Sequence, residues 1–397
     1  MRTNNRGAFV SRRTFLPFSP PSIGEDEIAA VVEALRSDWL TTGPRTGAFE
    51  SAFAAWHNLP AQGALALNSC TGGLHVALAT LGIGQGDEVI LPPLTFASVA
   101  NVVEQMGATP ILADVDPATL TLDPAATAQA ITPRTRAIIP VHYAGHPAEM
   151  DAFRTLAQNH NLRLIEDAAH ALSAEYRRQK IGTIGDFTAF SFYPTKNITT
   201  SEGGMLTGAP DQIAAARLWS LHGLDRDAWK RYSNEGSWYY EVVVPGFKYN
   251  MTDIQAALGL AQLNRLAEFQ ERRRVVAGRY NAAFTNHPSL EPPTVRDYVV
   301  PSWHLYVLRL NLETLRIDRA QVMEELKARN IGASVHFIPV HLHPYYRDRY
   351  RWAADAFPIA YREYQRMVSL PLFPKMTDAD VEDVIAAVFD VVERFRR

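Results

Sequence analysis

Ala64-Leu65-Ala66-Leu67-Asn68-Ser69-Cys70-Thr71-Gly72-Gly73 is a short apolar run, a turn of small polar residues and the start of an apolar helix. Small residues at a strand-to-helix turn leave backbone N–H groups free to hold an anion at the helix start. Outward from this stretch the pattern repeats. Apolar runs at Glu88 to Leu91, Thr109 to Ala113, Ala137 to Val141 and Leu162 to Ile165 are separated by helical stretches. That alternation is the signature of parallel βαβ units covered on both faces. After Asp167 the spacing changes, and Asp186 to Phe192 and Gly203 to Leu206 read as strands divided by a loop with no crossover helix. The expected fold class is α/β: a large, mostly parallel sheet domain, with a smaller α+β domain at the C-terminus.

Towards the N-terminus, Ser22 and Glu25 form a capping box, and the helix after it would carry Ile28, Val32 and Leu35 on one face. Thr252 and Gln255 form a second box, opening a long helical stretch to about Arg279. Beyond Pro292 the expectation is strand, helix, strand: Trp303 to Leu310, Asp318 to Arg329, Ser334 to Phe337. A helix from Asp378 to Arg394 closes the chain. A length of 397 residues exceeds what one core supports. The expected division is an N-terminal extension (1–14), an α/β domain (15–265) and a small α+β domain (266–397).

Hydrophobic residues make up 47% of the chain and the formal net charge is −3, with no long basic run, so nucleic acid is not an expected partner. The single cysteine, Cys70, excludes an internal disulfide framework and fits a reducing cytoplasm. Ser11-Arg12-Arg13-Thr14-Phe15-Leu16 has the look of a twin-arginine export signal, but Pro17, Pro20 and Pro21 follow where such a signal needs an apolar stretch. It reads as a short basic extension. No segment reaches the ~18–20 uninterrupted apolar residues of a membrane span, and the expectation is a soluble cytoplasmic protein.

The chemistry is concentrated in Phe190-Ser191-Phe192-Tyr193-Pro194-Thr195-Lys196-Asn197, ending in Glu202-Gly203-Gly204. A lysine just past an apolar strand sits where open α/β sheets place their ligands. An amine condenses with an aldehyde cofactor only when deprotonated, which burial favours. Upstream, Ile165-Glu166-Asp167-Ala168-Ala169-His170 puts an acid at a strand end. Pyridoxal phosphate (PLP) is an electron sink only while its ring nitrogen stays protonated, and a buried carboxylate facing that nitrogen keeps it so. The turn at Asn68 to Gly73 would take the phosphate, with the Ser191 hydroxyl added to it. Phe96, after Pro92-Pro93-Leu94-Thr95, is placed to stack on a flat ring. Each element has a plain structural reading when taken alone: a solvated lysine, a loop-bonded aspartate, a glycine kept for geometry, a core aromatic.

Together these elements resemble the DegT/DnrJ/EryC1/StrS family of PLP-dependent sugar aminotransferases. The resemblance runs from about Phe15 to Val392. It includes Trp39-Leu40-Thr41-Thr42-Gly43-Pro44, Glu166 to His170, Ser191-Phe192 through Gly204, and Ser369-Leu370-Pro371-Leu372-Phe373-Pro374. It implies the type I aminotransferase fold and a homodimer with shared active sites. Matched by position, Lys196 carries PLP as a Schiff base, Asp167 faces the pyridine nitrogen, Thr71, Gly72 and Ser191 meet the phosphate, and Phe96 stacks. His170, at the end of the acidic motif, joins the implied cofactor set. A phosphate contact from the second subunit is implied at Gly246-Phe247-Lys248-Tyr249-Asn250-Met251, where Lys248 stands for the family's asparagine and Asn250 for its arginine. Val141-His142-Tyr143-Ala144-Gly145, Lys196-Asn197-Ile198-Thr199 and Gly246 to Asn250 are similar to the branch making UDP-4-amino-4-deoxy-L-arabinose; Tyr193-Pro194-Thr195 departs from it.

The implied reaction is ping-pong. L-glutamate gives up its amino group and leaves as 2-oxoglutarate, and a nucleotide-linked keto sugar, ketonic at C4, receives it. His304 and His341 are candidate sugar contacts. Competing readings fare worse against the residues. A nicotinamide oxidoreductase needs G-x-G-x-x-G, and only Gly72-Gly73 occurs after the first strand. His142 and His146 have zinc-ligand spacing, yet Gly145 and Pro147 make that stretch a loop, and no metal site is expected. A PLP-binding sensor without turnover, or a transaminase of non-nucleotide ketones or aldehydes, remain the alternatives.

Overall fold

The computed structural model describes residues 12–225 and 239–397. The basic extension therefore lies almost wholly outside the described residues. The central sheet opens with β1 (Ala64–Leu67), β2 (Glu88–Leu91), β3 (Thr109–Leu112), β4 (Thr135–Ile138) and β5 (Arg163–Asp167). A small hairpin, β6 (Glu175–Tyr176) and β7 (Gln179–Lys180), interrupts it, and β8 (Phe187–Ser191) and β9 (Gly204–Gly208) complete it. The strand order is β3-β2-β4-β5-β8-β9-β1. Pairing is parallel from β3 through β8, while β9 runs antiparallel to both β8 and β1.

Strand alternation sorts the sheet's side chains into two cores. Leu65, Leu67, Val89, Leu91 and Ile165 pack under the helix Cys70–Thr80. Ala64, Ala66, Ile90 and Leu164 face the other way, against Phe49, Phe53 and Phe153 of the helices Pro44–Trp56 and Met150–His160. The first of these helices starts on the Trp39 to Pro44 motif. Buried Asp253 accepts from the N–H groups of Gly43 (2.9 Å), Arg45 (3.0 Å) and Thr46 (2.9 Å), capping it from a distant part of the chain.

The third core lies under a second sheet of β10 (Leu290–Glu291), β12 (Tyr306–Leu310) and β13 (Met367–Leu370), while β11 (Val299–Val300) joins β6. The long helical stretch is two helices, Asp253–Asn264 and Leu266–Phe284, with the Thr252–Gln255 capping box in place. The second helix links the cores: Leu266 and Phe269 pack beneath the large sheet, Val276, Ala277, Tyr280 and Phe284 beneath the small one. The helix Asp378–Arg394 has the expected bounds.

Three local expectations are corrected. The first helix, Glu25–Arg36, is capped at Gly24, whose N–H donates to Glu27 (2.8 Å), so Ser22 and Glu25 form no box. Its buried side carries Glu27 and Ala34, while Ile28 and Leu35 are exposed. The cause is Glu27: its carboxylate is buried against Gln262 (2.7 Å) and Arg265 (3.1 Å), which turns the apolar stripe outward. The strand expected at Trp303 begins only at Tyr306, because Trp303 adopts a left-handed φ of 47°. Ser334 to Phe337 is no strand; Ser334 alone bridges to Ser369. Among the described residues no helix is long and apolar enough to cross a membrane.

Candidate active site

The C-terminal ends of β1, β5 and β8 converge. Asp167 is the last residue of β5 and Ser191 the last of β8, and Lys196 follows in the loop that returns to β9. Gly204 opens β9 hard against the start of the helix Cys70–Thr80. A Cβ there would lie 2.5 Å from Cys70 N, so only glycine allows the approach. The sheet register thus sets the acid, the amine and a helix N-terminus around one space.

At that N-terminus Ser69 caps the helix, accepting from Gly72 N at 3.0 Å. Gly72 is closely hemmed, since a Cβ there would come within 2.9 Å of Asn68 Oδ1. Thr71 stands beside it in the first turn, half-buried. A helix start with a bare glycine face is a cradle for a phosphate. Ser191 Oγ accepts only a long bond from Tyr193 N (3.4 Å).

Lys196 is half-buried beside Asp167, and desolvation brings its amine down to about 8, against the opposing pull of Asp167 and Cys70. Asp167 is buried, and its carboxyl is pushed up by that burial while the Ala169 N–H (2.9 Å) and Lys196 pull it back. Cys70 Sγ approaches Asp167 Oδ1 at 3.9 Å and Ala189 O at 3.4 Å, as a packed side chain. A buried carboxylate, an amine with lowered proton affinity and a helix N-terminus fit the pyridine nitrogen, aldehyde and phosphate of PLP.

The opposite wall is imidazole and aromatic. His170 stacks near His304 (4.4 Å between ring centres) and Phe337 (5.7 Å). Its Nδ1 accepts from Ala144 N at 3.2 Å, so any ring proton sits on Nε2. His336 Nδ1 meets Ser369 Oγ at 2.9 Å, and Phe18 stacks on its ring. Burial drives His170 and His304 well below the ordinary histidine range and His336 to about 4, with Lys196 adding to each shift. His304 Nδ1 is buried with no hydrogen-bond partner among the described residues. Phe96 stands at the mouth, 62% exposed, its ring 5.8 Å from Phe337.

Three candidates lie elsewhere. His341 is fully buried, its Nε2 on Ala354 O (3.0 Å) and its ring edge-on to Phe357. Lys248 is exposed and pairs with Asn250 Oδ1, while Asn250 Nδ2 donates to Thr42 Oγ1 at 2.6 Å. Their segment runs beside the chain's own Asn68–Gly73 turn, with Asn68 N donating to Tyr249 O at 2.7 Å. His142 and His146 have separate partners: His142 bonds Glu166, and His146 Nδ1 meets Pro147 O at 2.7 Å. Among the described residues no three potential ligand side chains cluster as a metal site. Sequence reading missed His336, Phe337 and Phe18. Only the paired histidines of Val335-His336-Phe337-Ile338-Pro339-Val340-His341 hinted at the first.

This fold and this constellation define a PLP-dependent aminotransferase. The chain belongs to the DegT/DnrJ/EryC1/StrS aminotransferase family, whose profile matches residues 21–389. It is 52% identical over 384 residues to the spore coat polysaccharide biosynthesis protein SpsC of Bacillus subtilis, covering 96% of this chain and 98% of that one. Among solved structures, the putative sugar aminotransferase Spr1654 of Streptococcus pneumoniae in its PMP form superposes with a TM-score of 0.89 at 35% identity. That match covers 96% of this chain and 99% of Spr1654. DesV of S. venezuelae, solved with a ketimine intermediate, gives 0.85 at 34% identity, covering 96% and 100%.

Proposed function

We propose that this chain transfers the amino group of L-glutamate to a nucleotide-linked 4-keto sugar, as a cytoplasmic homodimer with shared active sites. The observation that carries the sugar reading is the wall opposite Lys196. His170, His304 and His336 have proton affinities too low for charge near neutral pH, so they offer neutral donors and acceptors of the kind sugar hydroxyls need. The exposed Phe96 and Tyr193 at the mouth supply aromatic faces on which a nucleotide base would stack. Exposed Ile28, Leu35, Leu40, Val242 and Val243 favour burial against a second copy.

Bound PLP supplies the electron sink for the substrate carbanion. The protein's residues do the rest. Lys196 would hold the cofactor aldehyde through its amine and would move a proton at the substrate carbon. Asp167 keeps the ring nitrogen protonated. Thr71, Gly72 and Ser191 fix the phosphate. His170 and Phe96 confine the ring, and His304 orients the sugar. Lys248 or Asn250 reaches the partner's phosphate.

The test is the visible spectrum of the protein with PLP, before and after L-glutamate, and then with UDP-linked 4-keto sugars. A yellow band that glutamate bleaches and a nucleotide keto sugar restores is the expected result. A band that glutamate leaves unmoved removes the donor and favours a sensor. Restoration at the same rate by the free keto sugar removes the nucleotide.

A further inference from the structure

Two consecutive acids end β5, and the strand turns them to opposite faces of the sheet. Asp167 points with Ile165 to the side of the helix Cys70–Thr80, where Cys70 and Lys196 meet it. Glu166 points with Leu164 to the other side and is fully buried. Its Oε1 accepts from Gly185 N at 2.7 Å and Thr188 Oγ1 at 2.8 Å, and its Oε2 faces His142 Nε2 at 2.9 Å.

The protonation follows from the far side of the imidazole. Ala148 N donates to His142 Nδ1 at 3.1 Å, so the ring proton sits on Nε2 and is given to Glu166. All three partners are donors, and in this tautomer none is charged. The Glu166 carboxylate is thus met on both oxygens by hydrogen-bond donors. The same segment grips Asp167 by its backbone: His142 N donates to Asp167 O, and Asp167 N to Pro140 O, both at 3.0 Å. A Cβ on Gly185 would come within 3.1 Å of the Glu166 carboxylate, so the turn before β8 is shaped around this side chain.

We propose that Glu166, oriented by His142, is a positioning residue of the cofactor site, anchoring the end of β5 and setting a second carboxylate behind Asp167. Asp167 alone touches the pyridine nitrogen. Glu166 acts through it, strengthening the hold on a cationic ring across a low-dielectric sheet. This rests on the assignment of PLP to the site. A wild-type protein that forms no yellow band fails that assignment, whereas the present proposal is tested by differences between variants that do bind.

The experiment titrates apoprotein with PLP and then follows the pH midpoint of the visible band. Glu166→Gln keeps the shape and removes the charge. Its PLP dissociation constant should rise about tenfold or more, and the midpoint should fall, since the protonated chromophore loses an anion. His142→Gln leaves the Glu166 charge and an amide donor to it, and should hold the midpoint near the wild-type value. A purely structural role would lower the melting temperature of both variants and leave the midpoint fixed, which overturns the proposal. Should Glu166→Gln not fold, the 13C carboxyl shift of Glu166 in wild-type protein decides. Ionised across pH 6–9 it supports the proposal; protonated there, it sinks it.

Discussion

The two walls of the site are built by different rules. The proposed cofactor wall, Asp167, Lys196, Ser191 and the Ser69–Gly72 turn, comes from strand ends of one sheet and is fixed by their register. The proposed substrate wall, His170, His304, His336, Phe337 and Phe18, is gathered from the large sheet, the segments flanking the small sheet and the N-terminal segment. The first carries an acid and an amine, the second neutral imidazoles. Charge belongs where PLP keeps a cationic ring and an anionic phosphate, and uncharged hydrogen bonding where sugars vary. The sheet cannot change its register without losing the core, whereas the second wall is set by side chains from separate segments, with Phe18 and Phe337 packed on a smaller cluster of their own.

The largest expected effect tests the cofactor wall. Lys196→Ala should fold and bind PLP without a covalent link, and lose turnover by about 10,000-fold. Borohydride trapping followed by mass measurement, alongside steady-state rates, checks both halves; near-normal turnover would remove Lys196 from the wall. The pH dependence comes next. With its amine lowered to about 8, Lys196 is protonated below that pH and neutral above it. Capture of PLP by apoprotein should therefore slow about tenfold per pH unit below 8. The linkage has a definite sign. Unfolded lysine titrates near 10.4, so between about 8 and 10 the unfolded chain holds a proton that the native chain lacks, and apoprotein stability rises with pH there. Lys196→Met should flatten both profiles.

His336→Leu tests the substrate wall. It removes the bond to Ser369 Oγ and one polar group facing Lys196. The KM for the keto sugar should rise about tenfold, as for one lost hydrogen bond with a partner left bare, while the PLP spectrum stays as in wild type. A changed spectrum would move His336 to the cofactor wall and break the comparison.

The same division explains what the sequence made legible. Asp167, Lys196 and the Asn68–Gly73 turn stand at or just past the ends of apolar runs, which marked them as candidates, and the family resemblance supplied their roles. His336 and Phe18 carry no such mark, because their place depends on how the small domain packs on the large one. The outward Ile28 and Leu35 were misjudged for a related reason: a long-range pairing of Glu27 with Gln262 and Arg265 overrode the helix's own apolar stripe. Register is local information; docking of distant segments is not.

His341 supplies the smallest expected effect and the sharpest control. It lies in the same short run as His336, and sequence reading gave it a place in the substrate wall. The fold turns it into the protein instead, against Ala354 O and the edge of Phe357, where burial lowers its proton affinity. His341→Gln removes a buried ring and keeps an amide able to donate to the same carbonyl. Kinetic constants for both substrates should stay within about twofold, because no contact with the reacting groups is lost. The melting temperature should drop by only about 1 °C, the cost of roughly 1 kcal/mol in a protein this size. A KM rise like that of His336→Leu would show that the substrate wall reaches His341 and is wider than the ring stack His170–His304–Phe337.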